Sequence, residues 1–372
     1  MTKFVQIHTL VSYPPSNLNR DDLGRPKTAV MGGTQRLRVS SQSLKRAWRT
    51  SDIFKESLGS HIGIRTKNMG VNIFKALTTG LSLVDILKDN TEVSSSNSII
   101  SEKEAKEWSK AIAGVFGKSK KGSNKEAKDS LVDLEIEQLA HFSPEEISAI
   151  DQLITKISSS GSAPSKDELN LLRKDHTAVD IAMFGRMLAS NTKFNTEAAV
   201  QVSHAITTNE VAVEDDFFTA VDDLNRGDED MGSGHLGETE FASGLFYTYV
   251  CIDRELLESN LGGDKELANN ALCALVESMA KVSPTGKQNS FASRAYASYM
   301  MIEKGKQQPR SLSVSYLEPV KGRNMLKNAI ESLQKTNEKM EHVYGDCCEE
   351  RLDMNAYTGE GSLEEMLKFV SS

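Results

Sequence analysis

Residues 36–49 read Arg36-Leu37-Arg38-Val39-Ser40-Ser41-Gln42-Ser43-Leu44-Lys45-Arg46-Ala47-Trp48-Arg49. The first four alternate polar with apolar, the period of a short strand, which places Arg36 and Arg38 together on its outer face. The hydroxyls that follow supply an N-cap, and beyond them Leu44, Ala47 and Trp48 occupy the apolar positions of a helix. Gln42, Lys45, Arg46 and Arg49 keep the i, i+3, i+4, i+7 spacing and share the opposite face. A strand running into a capped helix, with cations along one side of both, predicts an α+β domain with a basic edge. The helix N-terminus, flanked by Ser40, Ser43 and Lys45, suits phosphate oxygens.

Upstream, Ser12 to Gly33 has loop composition, with three prolines and several glycines, and adds Arg20, Arg25 and Lys27. Eight Arg/Lys thus fall between Arg20 and Arg49 against only Asp21 and Asp22, in a chain of formal net charge −8. Cations gathered in an acidic protein point to a polyanion, because each neutralised phosphate releases condensed counterions. Before the loop, Val5, Ile7, Thr9 and Val11 alternate with Phe4, Gln6, His8 and Leu10, which reads as an opening core strand with one apolar face.

Downstream, residues 59–177 shift towards Ser, Lys, Glu and Asn and carry the capping pattern Ser101-x-x-Glu104 before Trp108, Ile112 and Val115, so a helical insertion is expected there. The Lys118 to Lys125 and Ser158 to Pro164 stretches read as connections within it. Strand-type segments are expected at Val179 to Met183 and Phe241 to Ile252. Helices are expected at Ala198 to Ile206, Lys265 to Ala280 and Arg323 to Met340. Between them, Glu214-Asp215-Asp216, Asp222-Asp223, Asp228-Glu229-Asp230 and Gly232-Ser233-Gly234 suggest a protruding acidic hairpin or loop. No internal repeat supports a solenoid.

At 372 residues, 38% hydrophobic and 26% charged, the chain has room for a main core and a sizeable insertion. Cys251, Cys273, Cys347 and Cys348 lack CxxC spacing, so neither a zinc site nor a disulfide framework is expected, and a reducing cytoplasm fits. The opening MTKFVQIHTLV has no continuous apolar stretch, and no run approaches a membrane span. Neither cofactor nor metal is expected. His204 and His235 read as core or turn residues, and Asp21-Asp22 and Asp222-Asp223 as local ion-pair partners rather than metal ligands. Ser40, Ser41 and Ser43 lack the SxxK spacing of a serine–lysine nucleophile, and Gly32-Gly33 fits neither GxxxxGK nor GxGxxG.

Several strings occur in a telling order: Asn19-Arg20-Asp21-Asp22, Gly32-Gly33, Arg38-Val39-Ser40-Ser41-Gln42-Ser43-Leu44-Lys45-Arg46-Ala47, Val179 to Met187, His204-Ala205-Ile206-Thr207-Thr208, Phe218 to Leu224, and His235-Leu236-Gly237 to Phe246-Tyr247. Together they resemble the CasC family of the RAMP superfamily, the CRISPR RNA-binding backbone subunit of the type I-E Cascade complex. The resemblance covers the first fifty residues and roughly 178 to 300 well, and the rest loosely. It implies a right-hand architecture: a modified RRM-like (ferredoxin-like) palm over 1–58, 178–208 and 239–372, a helical fingers insertion over 59–177, and a thumb hairpin over 209–238.

What the resemblance implies for function is a non-catalytic filament. Copies pack head to tail along CRISPR RNA, meet other Cascade subunits, and present the spacer to target DNA for antiviral defence. Arg20, Lys27, Arg36, Arg38, Ser40, Gln42, Ser43, Lys45, Arg46, Arg49, Arg186, Met187 and Lys287 would hold the RNA, and Phe217, Phe218 and Thr219 would form the thumb that displaces a base. A buried pair is the ordinary reading of Phe217-Phe218. Asn289 stands where the family tends to have a second basic residue, so contact there rests on Lys287. The acidic thumb departs from a nucleic-acid surface, and its carboxylates are assigned to solvent or to a neighbouring copy. Two rivals remain at this point: a metal-dependent ribonuclease using Asp21, and a generic single-strand RNA-binding protein.

Overall fold

A computed structural model describes residues 2–89, 100–120, 131–220 and 235–372. The expected thumb residues Asp222, Asp223, Asp228, Glu229, Asp230 and 232–234, and the lysines Lys121 and Lys125, lie outside the described residues. The strands are β1 (Phe4–Ser16), β2 (Thr28–Met31), β3 (Thr34–Val39), β4 (Ile64–Thr66), β5 (Ala140–Phe142), β6 (Val200–Val202), β7 (Ala205–Thr207), β8 (Glu214–Ala220), β9 (His235–Asp253), β10 (Ala297–Gly305) and β11 (Glu350–Asn355). The fold is α+β, as expected, and the main sheet runs β11-β10-β1-β9-β7-β3-β2, with β6 and β8 also on β9.

The chain divides into a sheet unit, Met1–Ser57 with Val200–Glu255 and Asn269–Ser372, and a helical unit, Leu58–Ala199 with Leu256–Ala268. Residues 178–199, grouped with the sheet domain in the sequence reading, fall in the helical unit. In the sheet unit β1 lies between β10 and β9, antiparallel to both. Every residue from Val5 to Val11 is buried, so both faces are covered and not one alone. Leu10, Tyr247, Tyr299 and Met301 on one face pack with Leu312, Tyr316, Ala329, Ile330 and Leu333, the last three from the helix Met325–Tyr344. Full burial of a leucine such as Leu333 stabilises by about 1.5–3 kcal/mol.

The polar residues of β1 enter a buried network. Glu303 is fully buried and takes both Arg310 (2.7 and 3.0 Å) and Arg351 (2.7 and 3.0 Å), with His8 Nε2 at 3.5 Å. Burial alone would raise the pKa of Glu303, but the close His8 ring and the hydrogen-bonded guanidinium of Arg310 outweigh it and hold the group ionised.

In the helical unit the pattern Ser101-x-x-Glu104 forms the expected capping box, and Ser143-x-x-Glu146 forms a second one with Pro144 at the first turn. Trp108, Ile112, Ile150, Leu153 and Ile154 lie in its core. Two expectations are corrected here. Val179–Phe184 is a helix, not a strand: its short apolar run is buried all round, a pattern that periodicity cannot assign, and Asp180 inside it accepts from Gly63 N and pairs with His141 at 2.7 Å. The stretch Ala198 to Ile206, expected as a helix, supplies β6 and β7, because pairing of Val200 with Ile252 and of Ile206 with Tyr247 overrides alanine's helix preference.

Candidate nucleic-acid interface

The basic edge is built on the β2–β3 hairpin, whose pairing of Met31 with Thr34 leaves Gly32-Gly33 as a two-residue loop. Both glycines have positive φ, 59° and 78°, as a type I′ turn requires. A Cβ on Gly32 would lie 1.7 Å from Leu317 O, so the hairpin tip sits directly on the 313–317 segment.

That segment separates the two arginines of β3. Arg36 is fully buried: Nε donates to Thr34 Oγ1, Nη1 to the carbonyls of Thr207 and Thr208, and Nη2 to those of Tyr316 and Leu317, at 2.7–3.4 Å. A guanidinium has five N–H groups and all five are engaged, so Arg36 is corrected from an RNA contact to the clamp that holds 313–317 onto β7. Arg38 shares its face by parity but emerges beyond the segment, half-buried, with Nη1 3.0 Å from His204 Nδ1. Guanidinium only donates, so His204 Nδ1 accepts. Loss of solvent, then the charges of Arg38 and Lys27, push the pKa of His204 below its ordinary value. The neutral ring therefore carries its proton on Nε2. His204 is exposed and belongs to this site, neither a core nor a simple turn residue.

Asn19 is the junction of loop, strand and helix. Its carbonyl accepts from Lys27 N (2.8 Å), its side chain from Ser40 N (2.9 Å), and Lys27 O accepts from Arg38 N (2.8 Å). Arg20 bridges Pro26 across the loop, and Asp21 Oδ1 accepts from Leu23 N and Arg25 N, which shapes the turn. Asn19 mattered in the sequence only as part of a string; a short amide between a loop and a Ser-rich cap is the signal that could have marked it.

The first helix, α1 (Ser41–Arg49), buries Leu44, Ala47 and Trp48, as the spacing predicts. Ser40 caps it by accepting from Ser43 N at 3.4 Å, and its first turn holds no acidic residue, so the positive end is not neutralised from within the helix. Gln42 and Arg46 are exposed, and Ser43, Lys45 and Arg49 half-buried. Partial burial pulls the Lys45 pKa below its ordinary value, a loss that an anion would reverse.

The β8–β9 hairpin meets this edge at its base. Lys287 Nζ donates to Thr239 Oγ1 at 2.6 Å, Arg25 pairs with Glu240 at 3.0 Å, and Asn17 Nδ2 donates to Glu240 O at 3.0 Å. A Cβ on Gly286 would touch Leu18 O at 2.2 Å, so the Lys287 turn lies against the Arg20 loop. Along β8 successive side chains alternate: Phe217 and Thr219 share one face and Phe218 takes the other, where its ring covers Gly237. Phe217 is 66% exposed and Phe218 44%, so neither is the buried pair that composition alone would favour.

Two candidates belong to the helical unit. Arg186 is corrected: it is buried, bonded to Glu146 at 2.7 Å and to the carbonyls of His141, Arg173 and Phe194, and is not presented to RNA. Met187, next to it, is 73% exposed. No helix among the described residues is long and apolar enough to cross a membrane.

A family model described as CT1975-like protein matches residues 5–367. No curated protein matches the chain. Among solved structures, a chain described as "CRISPR RNA-guided surveillance complex, pre-nicking" is 26% identical, with 99% of this chain and 100% of that chain covered and a TM-score of 0.79. A second, described as "CRISPR RNA-guided surveillance complex", is 23% identical, with 98% and 99% covered and a TM-score of 0.57, a likeness of fold.

Proposed function

The chain belongs to the CT1975-like protein family, and from that membership and the basic edge of its sheet we propose that it is a CRISPR RNA-binding subunit of a Cascade-type surveillance complex. In its finer form the proposal is the CasC role: a non-catalytic backbone whose copies follow one another along the guide and leave the spacer open to pair with target DNA, beside other subunits of the complex in the cytoplasm. The carrying observation is the Asn19 junction, which gathers Arg20, Lys27, Arg38 and the N-terminus of α1 with its Lys45, Arg46 and Arg49 stripe.

A subunit that must accept any spacer has to bind phosphate and sugar, and the groups gathered here are cations, hydroxyls and backbone N–H rather than a pattern of base-reading amides. Sequence choice is then left to base pairing with the guide. Phe217, open to solvent on its hairpin, suits a wedge that interrupts stacking without reading a base edge. Asp21, the catalyst of the ribonuclease reading, spends Oδ1 on two backbone N–H groups of its own turn.

The test is Lys45→Ala with Arg46→Ala, assayed against RNAs of several unrelated sequences over a salt series. Affinity falls by a similar factor for every sequence, and the slope of log K against log salt drops by roughly two, about one per lost phosphate contact. Losses that differ between sequences would contradict backbone recognition. Cleavage of guide-paired RNA with Mg²⁺ that disappears in Asp21→Ala would contradict the non-catalytic reading.

A further inference from the structure

Beside Arg38 the sheet unit contains a cavity of about 370 Å³, walled by Met31, Ile206, Tyr247 and Tyr316, with Ser203 and His204 among its polar lining. Strand register explains its position. Tyr247 on β9 is the partner of Ile206 on β7, and Ile206 is the partner of Arg38 on β3. Directly opposed residues share a face, so these three form one row running from the core to the basic edge. The opposite wall is the 313–317 segment, held in place by Arg36 through the carbonyls of Tyr316 and Leu317 and by the bond from Leu312 N to Tyr247 Oη at 3.0 Å.

The polar ends of both tyrosines are used elsewhere. Tyr247 Oη meets His8 Nδ1 at 2.9 Å, and Tyr316 Oη donates to Ala329 O at 3.0 Å. What the two residues offer the cavity is therefore ring surface. The polar lining is adaptable: Ser203 Oγ accepts from Tyr249 N at 3.0 Å and has its proton to give, and His204 carries its proton on Nε2. The volume is at the low end of ordinary small-ligand pockets, enough for one planar ring system. Two cations stand beside the lining residue His204, Arg38 at 3.0 Å and Lys27 close enough for its charge to act on the imidazole, and they call for an anion attached to that ring system; an apolar side chain of another protein copy would bring none.

We propose that this cavity receives a single nucleobase, unstacked from the RNA strand whose phosphates meet Lys27 and Arg38. Aromatic walls hold any base by its π-face, and rotatable hydroxyls adapt to different edges, so the pocket is tolerant of sequence. Arg36 acquires a purpose from this: buried and unable to touch RNA, it fixes the wall against which the base lies. The inference rests on the RNA-binding reading above and adds a site to it.

The test uses the full chain with two probes at low salt, a uridine octamer and an octamer of abasic ribose phosphates. The unaltered protein is expected to bind the uridine octamer roughly 5- to 150-fold more tightly, the range for stacking of one base on aromatic side chains. Ile206→Trp fills the cavity from its floor and brings the ratio of the two affinities close to one. Met31→Trp fills it from the hairpin and does the same, which covers the case in which one variant fails to fold. Equal binding of both octamers by the unaltered protein overturns the base pocket and leaves RNA binding standing. Binding of neither octamer overturns both. A uridine preference that survives in both folded variants assigns base contact to another place and overturns the proposal, as does loss of self-association, without a change in the ratio, in either variant.

Discussion

In the sheet unit the buried guanidinium of Arg36 meets only neutral acceptors, one hydroxyl and four backbone carbonyls, whereas in the helical unit the buried guanidinium of Arg186 meets the carboxylate of Glu146 as well as three carbonyls. Each is followed within two residues by an exposed or half-exposed candidate for RNA contact, Arg38 and Met187. The inner residue of each pair is architectural, and the outer one is what the architecture presents. The two regions differ in what removal of the cation leaves behind: unbonded dipoles in one, a buried carboxylate without its counter-charge in the other.

Arg186→Ala is therefore expected to have the larger effect, about 3–5 kcal/mol, because Glu146 is fully buried and loses its counter-charge. Hydrogen exchange of the amides in the helix Pro144–Ser160 would read the loss locally, without assuming that the two units unfold together. Adding Glu146→Gln removes the stranded charge and keeps an acceptor for one of the two amides, Ser143 N or Arg173 N, that bond separate oxygens of the carboxylate, and should recover part of the loss. No recovery would mean that the carbonyl bonds, not the ion pair, carry the energy, and the contrast with Arg36 would collapse.

Arg36→Ala should cost somewhat less, roughly 2–4 kcal/mol, from the unpaired carbonyls and the cavity left beneath 313–317. No second substitution can rescue it, since four of its five acceptors are main-chain carbonyls. Protection of the β3 and β7 amides should fall, and the affinity for RNA should fall with it because Arg38 and His204 lose their support. A variant that keeps full amide protection yet loses RNA binding would restore Arg36 as a direct contact.

The Arg36 and Arg38 pair also marks the limit of what the sequence disclosed. Period two placed them correctly on one face, and the cap at Ser40 and the buried stripe Leu44, Ala47 and Trp48 were legible because they depend on neighbours a few residues away. Which arginine faces water depends on Tyr316 and Leu317, some 280 positions along the chain, and no local pattern records that. Arg186 was misread for the same reason, its partner Glu146 lying 40 residues upstream. The segments Val179–Phe184 and Ala198 to Ile206 failed differently: both are short and apolar, and pairing with distant strands or packing on all sides decides between helix and strand. His204 looked like one histidine among seven until β7 brought it to Arg38.

The smallest expected effect also separates the two units, through a buried histidine of lowered pKa in each, His8 and His176. Burial lowers the pKa of His8 in the sheet unit against the opposing pull of Glu303, and burial lowers that of His176 in the helical unit, aided by Arg186 and His141 and opposed by Glu145 and Asp180. A histidine whose folded pKa lies below its unfolded value of about 6.5 remains neutral when the unfolded chain takes up a proton, so stability falls as the pH drops below about 6.5. Glu303, whose folded pKa is depressed, adds a second loss of the same sign only below its unfolded value of about 4.5. Between pH 7.5 and 5.0 both units should therefore loosen through histidine alone. In His176→Gln the helix Pro144–Ser160 should keep its protection over that range after correction for intrinsic exchange rates, while the β1 amides still lose theirs through His8. An unchanged acid loss in the Pro144–Ser160 helix would show that another group there takes up the proton, and the symmetry between the two buried histidines would not hold.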